Sequence, residues 1–198
     1  MKYSDDIIFN MDETPLALNM PPNYTISRKG KKTVIIRAQS QEKCKVSLVL
    51  GIIADGNKLP PLIILKGSNK TKIHKALYNN KNIKEDKVFI AFNENTWCTR
   101  DIMMLWNEKI LRKYMHKLGY LIPNLLLLDQ ATMHQKSNVV NQFENYYAEI
   151  IFIPRGMTRL LQPIDVSINK PLKEYLRKKY SDYCCKKTLL LLKYIKIL

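Results

Sequence analysis

An α/β fold, with a sheet that starts antiparallel and finishes in parallel crossover units, is what this sequence predicts. Three observations carry that expectation. Strand-like β-branched runs, two of them joined by a DG turn signal, fill the first half of the chain. Near residue 98 the apolar residues begin to recur at three- and four-residue steps. From there a helix, a strand, a helix, a strand and a final helix follow one another.

The segment "DIIFNMD" (6–12) predicts a short apolar strand ending in an acid. A turn-rich basic connection, "MPPNYTISRKGKK" (20–32), leads to the β-branched runs "KTVIIRA" (32–38) and "CKVSLVLGIIADG" (44–56). "KLPPLIILKG" (58–67) reads as the hairpin return, with its prolines at the start, where a strand tolerates them. Residues 68–86 are polar and lysine-rich, which predicts a surface loop, and "KVFIAFNEN" (87–95) is another strand. In 98–120, Ile102, Leu105, Trp106, Ile110, Leu111, Tyr114 and Leu118 mark one helix face, with Thr99 as N-cap and Gly119 as C-cap. Trp97 and Trp106 are both expected in the core. "NLLLLD" (124–129) reads as a central parallel strand buried on both faces. A helix over 135–147, a strand over 148–154 and a helix over 163–184 complete the order, and Pro171 predicts a kinked or broken start to the last helix.

The 198 residues suit one domain with room for a real core, and 46% hydrophobic with 25% charged is ordinary globular composition. The charge is less ordinary. Thirty-three Lys+Arg against 17 Asp+Glu give a net +16, which favours a polyanionic partner, most simply nucleic acid. No stretch approaches the ~18–20 apolar residues of a membrane span, and no signal peptide opens the chain. Cys44, Cys98, Cys184 and Cys185 form no CxxC pair and read as reduced thiols of a cytosolic or nuclear protein.

Three acids stand out: Asp12 and Asp129, each at the end of a predicted strand, and Asp165 in the first turn of the last helix. In open α/β sheets, sites form at the carboxyl ends of such strands. Three converging carboxylates repel one another unless a cation holds them, and Mg²⁺ is the hard, oxygen-seeking candidate. Two such ions activate the attacking oxygen and stabilise the leaving one in phosphodiester chemistry. The plainer alternatives are a turn cap at each strand end and a favourable charge at a helix N-terminus for Asp165.

The segments "NMDETPL", "MPPNYTISRKGKKTV", "ADGNKLPPLIILKG", "LLLLDQATMH" and "LQPIDVSINKPLKEYLRKKY" occur in that order across residues 8–180. Together they resemble the DDE superfamily endonuclease domain of pogo/Tigger-type transposases, the group that includes centromere-protein-B-like and jerky-like proteins. The resemblance implies an RNase H-like fold and metal-dependent cleavage and joining of DNA strands. It assigns the catalytic, metal-holding acids to Asp12, Asp129 and Asp165, with two Mg²⁺ or Mn²⁺ ions. His134 matches a histidine that often follows the second acid and could touch substrate phosphate. Lys170, Lys173, Arg177, Lys178 and Lys179 could track phosphates, although a solvated helix face explains them as well. Gln162 and Pro163 shape the turn that aims Asp165, and Glu13 is structural.

The expected layout is a catalytic domain over 1–183 and a divergent basic, apolar tail over 184–198. Pogo-like transposases carry helix-turn-helix domains ahead of the catalytic one, whereas eleven residues precede Asp12 here. The expectation is therefore a nuclear protein that depends on a separate DNA-targeting partner or a homo-oligomer and does not transpose alone. Two functions remain open at this point. One is a DNA endonuclease with an intact triad; the other is a catalytically silent, domesticated or truncated module that binds DNA or protein.

Overall fold

The computed structural model describes residues 3–17, 28–30, 45–68, 87–119, 123–131, 135, 137–145 and 147–195, without side chains beyond 184. The predicted strand at 32–38, most of the 68–86 loop and His134 lie outside the described residues. The chain divides into two compact units. One is Met1–Leu16 with Lys45–Asn169, and the other is Ala17–Cys44 with Lys170–Leu198.

The first unit holds a six-stranded mixed sheet among the described residues. Its strands are β1 (Ile8–Ala17), β2 (Lys45–Ile53), β3 (Leu62–Lys66), β4 (Phe89–Asn93), β5 (Asn124–Asp129) and β6 (Ala148–Ile153), in the order β4-β3-β2-β1-β5-β6. The DG turn produces the expected hairpin: β2 and β3 pair antiparallel, with Val49 opposite Leu62. β1, β5 and β6 are parallel neighbours, as the strand–helix alternation requires. β4 runs parallel to β3.

Helices α1 (Arg100–Trp106) and α2 (Arg112–Lys117) are joined by one wide π turn (Asn107–Leu111) into the long helix that the apolar period predicts. Gly119 ends it at φ +74°, a left-handed conformation suited to a residue without Cβ. Helix α3 (Ser137–Glu144) follows β5. These helices cover the face of the sheet that carries Phe9, Met11, Leu126 and Leu128, and Trp106 and Phe143 are fully buried with them. Gly51 makes room for that packing, since a Cβ there would lie 2.9 Å from Leu59 and 3.0 Å from Trp106. Trp97 departs from expectation. It is 71% exposed, because the turn before α1 holds its backbone, through Asn93 Nδ2 on Trp97 O at 2.8 Å, and sends the indole outward.

The opposite face of the sheet is more polar. Parallel register sets Ile8 beside Leu125 and Asn10 beside Leu127, so Asn10, Asp12, Leu125, Leu127 and Asp129 share it. Leu125, Leu127 and Asp129 are only half-buried, so β5 is closed on one face rather than on both. A short helix α4 (Thr158–Leu161) and a second π turn (Ile164–Ile168) lead into α5 (Asn169–Ile195). The expected broken start is this π turn, which ends three residues before Pro171. From Lys170 onward α5 belongs to the second unit. Among the described residues no helix is long and apolar enough to cross a membrane.

Candidate functional site

Asp12 does not end its strand. β1 continues through Glu13, Thr14 and an exposed Pro15 to Ala17. What ends near Asp12 is the pairing with β5, whose last register pair is Asn10 with Leu127. Continuing that register two residues sets Asp12 level with Asp129, the final residue of β5. The two acids thus mark the open end of the β1–β5 ladder, where a parallel sheet leaves a crevice.

Asp165 reaches the same region from the second π turn. Asn169 connects it to Asp12: its side-chain Nδ2 donates to Asp165 Oδ1 at 2.6 Å and makes a long contact to Asp12 Oδ2 at 3.5 Å. The two carboxylates therefore cannot lie farther apart than those two contacts laid end to end. Asp12 is 8% exposed, whereas Asp165 is exposed and Asp129 half-buried.

This crowding alters the chemistry of Asp12. Burial, then the nearby Asp165 carboxylate, push its pKa up to about 7, and Asp129 adds to the rise. The Glu13 backbone N–H and the Asn169 amide act in the opposite sense, because they stabilise the charged form. Asp129 also accepts the Ala131 N–H at 3.2 Å, so it closes a local turn as well as facing Asp12.

A second set of hydrogen bonds fixes the backbone under the acids. Asn10 Nδ2 donates to Leu127 O at 3.1 Å, and Asn10 Oδ1 accepts the Ile164 N–H at 3.1 Å. Gln162, fully buried, donates from Nε2 to Met11 O at 3.1 Å. The expected turn-shaping role of Gln162 thus has a bond behind it. Asn10 and Asn169 escape a sequence reading based on acids. Their signals are positional: Asn10 is two residues before Asp12 on the same strand face, and Asn169 is four after Asp165 on a helix.

Among the described residues no group of three His, Cys, Asp or Glu side chains closes into a metal-binding cluster. The donor set nevertheless fits a hard divalent cation, since it is all carboxylate and one member is buried against like charge. Of the basic residues, Lys170 and Lys178 are exposed, and Lys173 and Arg177 are half-buried along α5. Lys179 stands over the Tyr175 ring, 5.4 Å from its centre.

The family model described as "DDE superfamily endonuclease" matches residues 43–194. The human "Pogo transposable element with KRAB domain" is 33% identical over 177 residues, covering 88% of this chain and 27% of that protein. The mouse protein of the same name is 32% identical over 177 residues, with the same coverage. The chain thus spans only 27% of the length of these relatives. Among solved structures, the Mos1 mariner paired end complex with Mn superposes with a TM-score of 0.56 at 12% identity, over 91% of this chain and 49% of that one. A Mos1 transposase paired-end complex with left transposon end gives 0.55 at 11% identity, over 89% and 48%. Those superpositions establish the fold as RNase H-like. With a family match over most of its length and 33% of 177 aligned residues identical to the human pogo relative, this chain belongs to the DDE superfamily endonucleases, as a pogo-type domain.

Proposed function

We propose that this transposase-derived domain cleaves and joins DNA strands, with Asp12, Asp129 and Asp165 holding Mg²⁺ or Mn²⁺, two ions in the full site. The observation that carries the proposal is the state of Asp12, a buried carboxyl pushed up to about 7 by burial and by its two acidic neighbours. Such a cluster is repulsive in isolation and favourable around a divalent cation. When bound, the ions would supply an activated attacking oxygen and charge stabilisation on the leaving oxygen of a phosphodiester.

The chain's own residues divide the remaining work. Asp12 gives up its proton as the site assembles, and Asn169 keeps the Asp165 carboxylate aimed toward it. Asp129 contributes its charge from the end of β5 while its Ala131 contact holds the turn. Lys170, Lys173, Arg177 and Lys178 contact phosphates, and His134 is a further candidate for substrate phosphate. The +16 net charge supports DNA as the partner. The Mos1 likenesses, named as transposase paired-end complexes, support the same reading. Target choice rests with a DNA-targeting partner or a homo-oligomer, and the reading implies a nuclear location.

The test is nicking of supercoiled plasmid with Mg²⁺, with Mn²⁺ and with EDTA, for the parent and for Asp129→Asn. Metal-dependent nicking that vanishes in the variant supports the proposal. DNA binding without nicking under any of these conditions would leave a silent binding module instead.

A further inference from the structure

We infer that Asn10 is the positioning residue that registers all three acid-bearing elements against one another. The inference rests on the catalytic reading above but is decided by different observables. Asn10 belongs to β1, the strand of Asp12. Its amide nitrogen bonds the Leu127 carbonyl in β5, two residues before Asp129. Its amide oxygen bonds the Ile164 N–H, the residue before Asp165.

The bond to Ile164 is unusual for a helix start. The first N–H groups of a helix have no partner within it and are normally met by a side chain just ahead in sequence. Here Pro163 occupies that place and supplies no side-chain bond. The partner comes instead from a residue 154 positions away. Gln162 returns the connection, from the side chain of the Asp165 segment to the Met11 backbone beside Asp12. The two bonds are reciprocal, each side chain bonding the backbone of the residue beside or near the other, Met11 next to Asn10 and Ile164 two after Gln162, and both are buried. Rotating or sliding the Asp165 turn along β1 would break both and leave buried amides unpaired. A purely apolar contact would resist such sliding far less, because it has no preferred register. Both of these side-chain bonds of Asn10 go to backbone groups, so its action is on the spacing of the acids.

The experiment uses the whole chain with two variants, Asn10→Leu and Gln162→Met, each close in volume to the parent residue. Native-state amide exchange reads the connection directly. The Ile164 amide is expected to be protected in the parent and to exchange freely in Asn10→Leu, while amides of β2 and β3 keep their protection. Titration with Mn²⁺ alone is expected to show affinity weakened by about tenfold or more, the usual scale for residues that orient metal ligands. Nicking kcat, normalised to the folded fraction measured by circular dichroism, should fall with the KM for DNA unchanged, and that normalisation removes the effect of a general loss of stability.

An Ile164 amide that exchanges freely in the parent, or stays protected in Asn10→Leu, overturns the inference. So does unchanged Mn²⁺ affinity in a folded Asn10→Leu protein. Should Asn10→Leu fail to fold, Gln162→Met decides through Ile164 exchange and Mn²⁺ affinity, and no change in either overturns the inference. A parent that neither binds Mn²⁺ nor nicks counts against the catalytic reading alone. Loss of Ile164 protection in the variant still supports the registering role in that case.

Discussion

Asp12 and Asp165 share one donor, the side-chain amide of Asn169, at 3.5 Å and 2.6 Å. A single nitrogen between two like-charged groups offsets part of their repulsion without a cation. Asn169→Ala should therefore destabilise the metal-free protein by roughly 1.5–3 kcal/mol, the range for a hydrogen bond to a charged group. Saturating Mg²⁺ should recover much of that loss, because a cation replaces the missing donor. Urea unfolding in EDTA and in Mg²⁺ measures both quantities.

The raised pKa of Asp12 sets a pH dependence whose sign can be worked out. The native carboxyl holds its proton up to about 7, whereas an ordinary aspartate loses it near 3.8. Between those values the unfolded chain has lost a proton that the native state keeps, so the slope of stability with pH is negative. The contribution is intact below the lower value and lost as pH rises through the upper one. Without metal, Asp12 should thus cost up to about 1.4 kcal/mol per pH unit across that window. Asp12→Asn should flatten this component. Parent-minus-variant unfolding free energies from pH 4 to pH 8, in EDTA, give the curve.

Cys98 lies in the core, 1% exposed, and burial, with a smaller effect from Glu13, pushes its thiol up to about 12. The thiolate is the reactive form, so this cysteine should resist alkylation in the native protein. Iodoacetamide at pH 8 followed by peptide mapping should leave Cys98 unmodified until urea is added. Rapid native labelling at Cys98 would contradict the buried placement.

What could be read from the sequence was what is encoded locally. The DG turn between two β-branched runs specifies the β2–β3 hairpin, and the three- and four-residue period specifies the helix from Arg100 to Lys117. The end of β1 was not readable, because Pro15 looks like a strand break although it sits exposed within an extended segment. Trp97 misleads for the reverse reason: a large aromatic suggests core, but a turn decides where it points. Leucines in a row cannot reveal that one face of β5 lies beside acids and asparagines. The bonds of Asn10 and Asn169 to distant or helical partners leave no periodic trace, so the acids were visible and their supports were not.

DNA binding should be largely sequence-independent and steeply salt-sensitive. Seven Lys+Arg against one acid in 28–45, and nine against two in 166–198, supply the charge. The slope of log K against log salt should fall by about 0.9 for each phosphate contact removed. Lys170→Gln and Lys178→Gln, both at exposed positions of α5, are suitable variants for fluorescence anisotropy between 50 and 200 mM salt (about the range in which such slopes are resolved). A parent slope near zero would make these lysines a solvated face only.

Asp129 offers the sharpest separation of metal ligand from structural cap. Its Oδ1 accepts the Ala131 N–H, a bond that asparagine can also make with its own Oδ1. Asp129→Asn therefore keeps this bond while removing the charge. If the carboxylate serves a cation, Mg²⁺ or Mn²⁺ should raise the melting temperature of the parent, since a ligand that binds only the native state stabilises it by mass action. At about a hundredfold excess over Kd that stabilisation is about 2.7 kcal/mol. The variant should lose most of this response and all nicking. In EDTA it should be at least as stable as the parent, because one of the charges acting on Asp12 is gone. A variant that is less stable in EDTA, beside a parent indifferent to Mg²⁺, would make the charge of Asp129 part of the turn alone. The acid after four leucines would then be a cap, and the proposed metal chemistry would lose its second ligand.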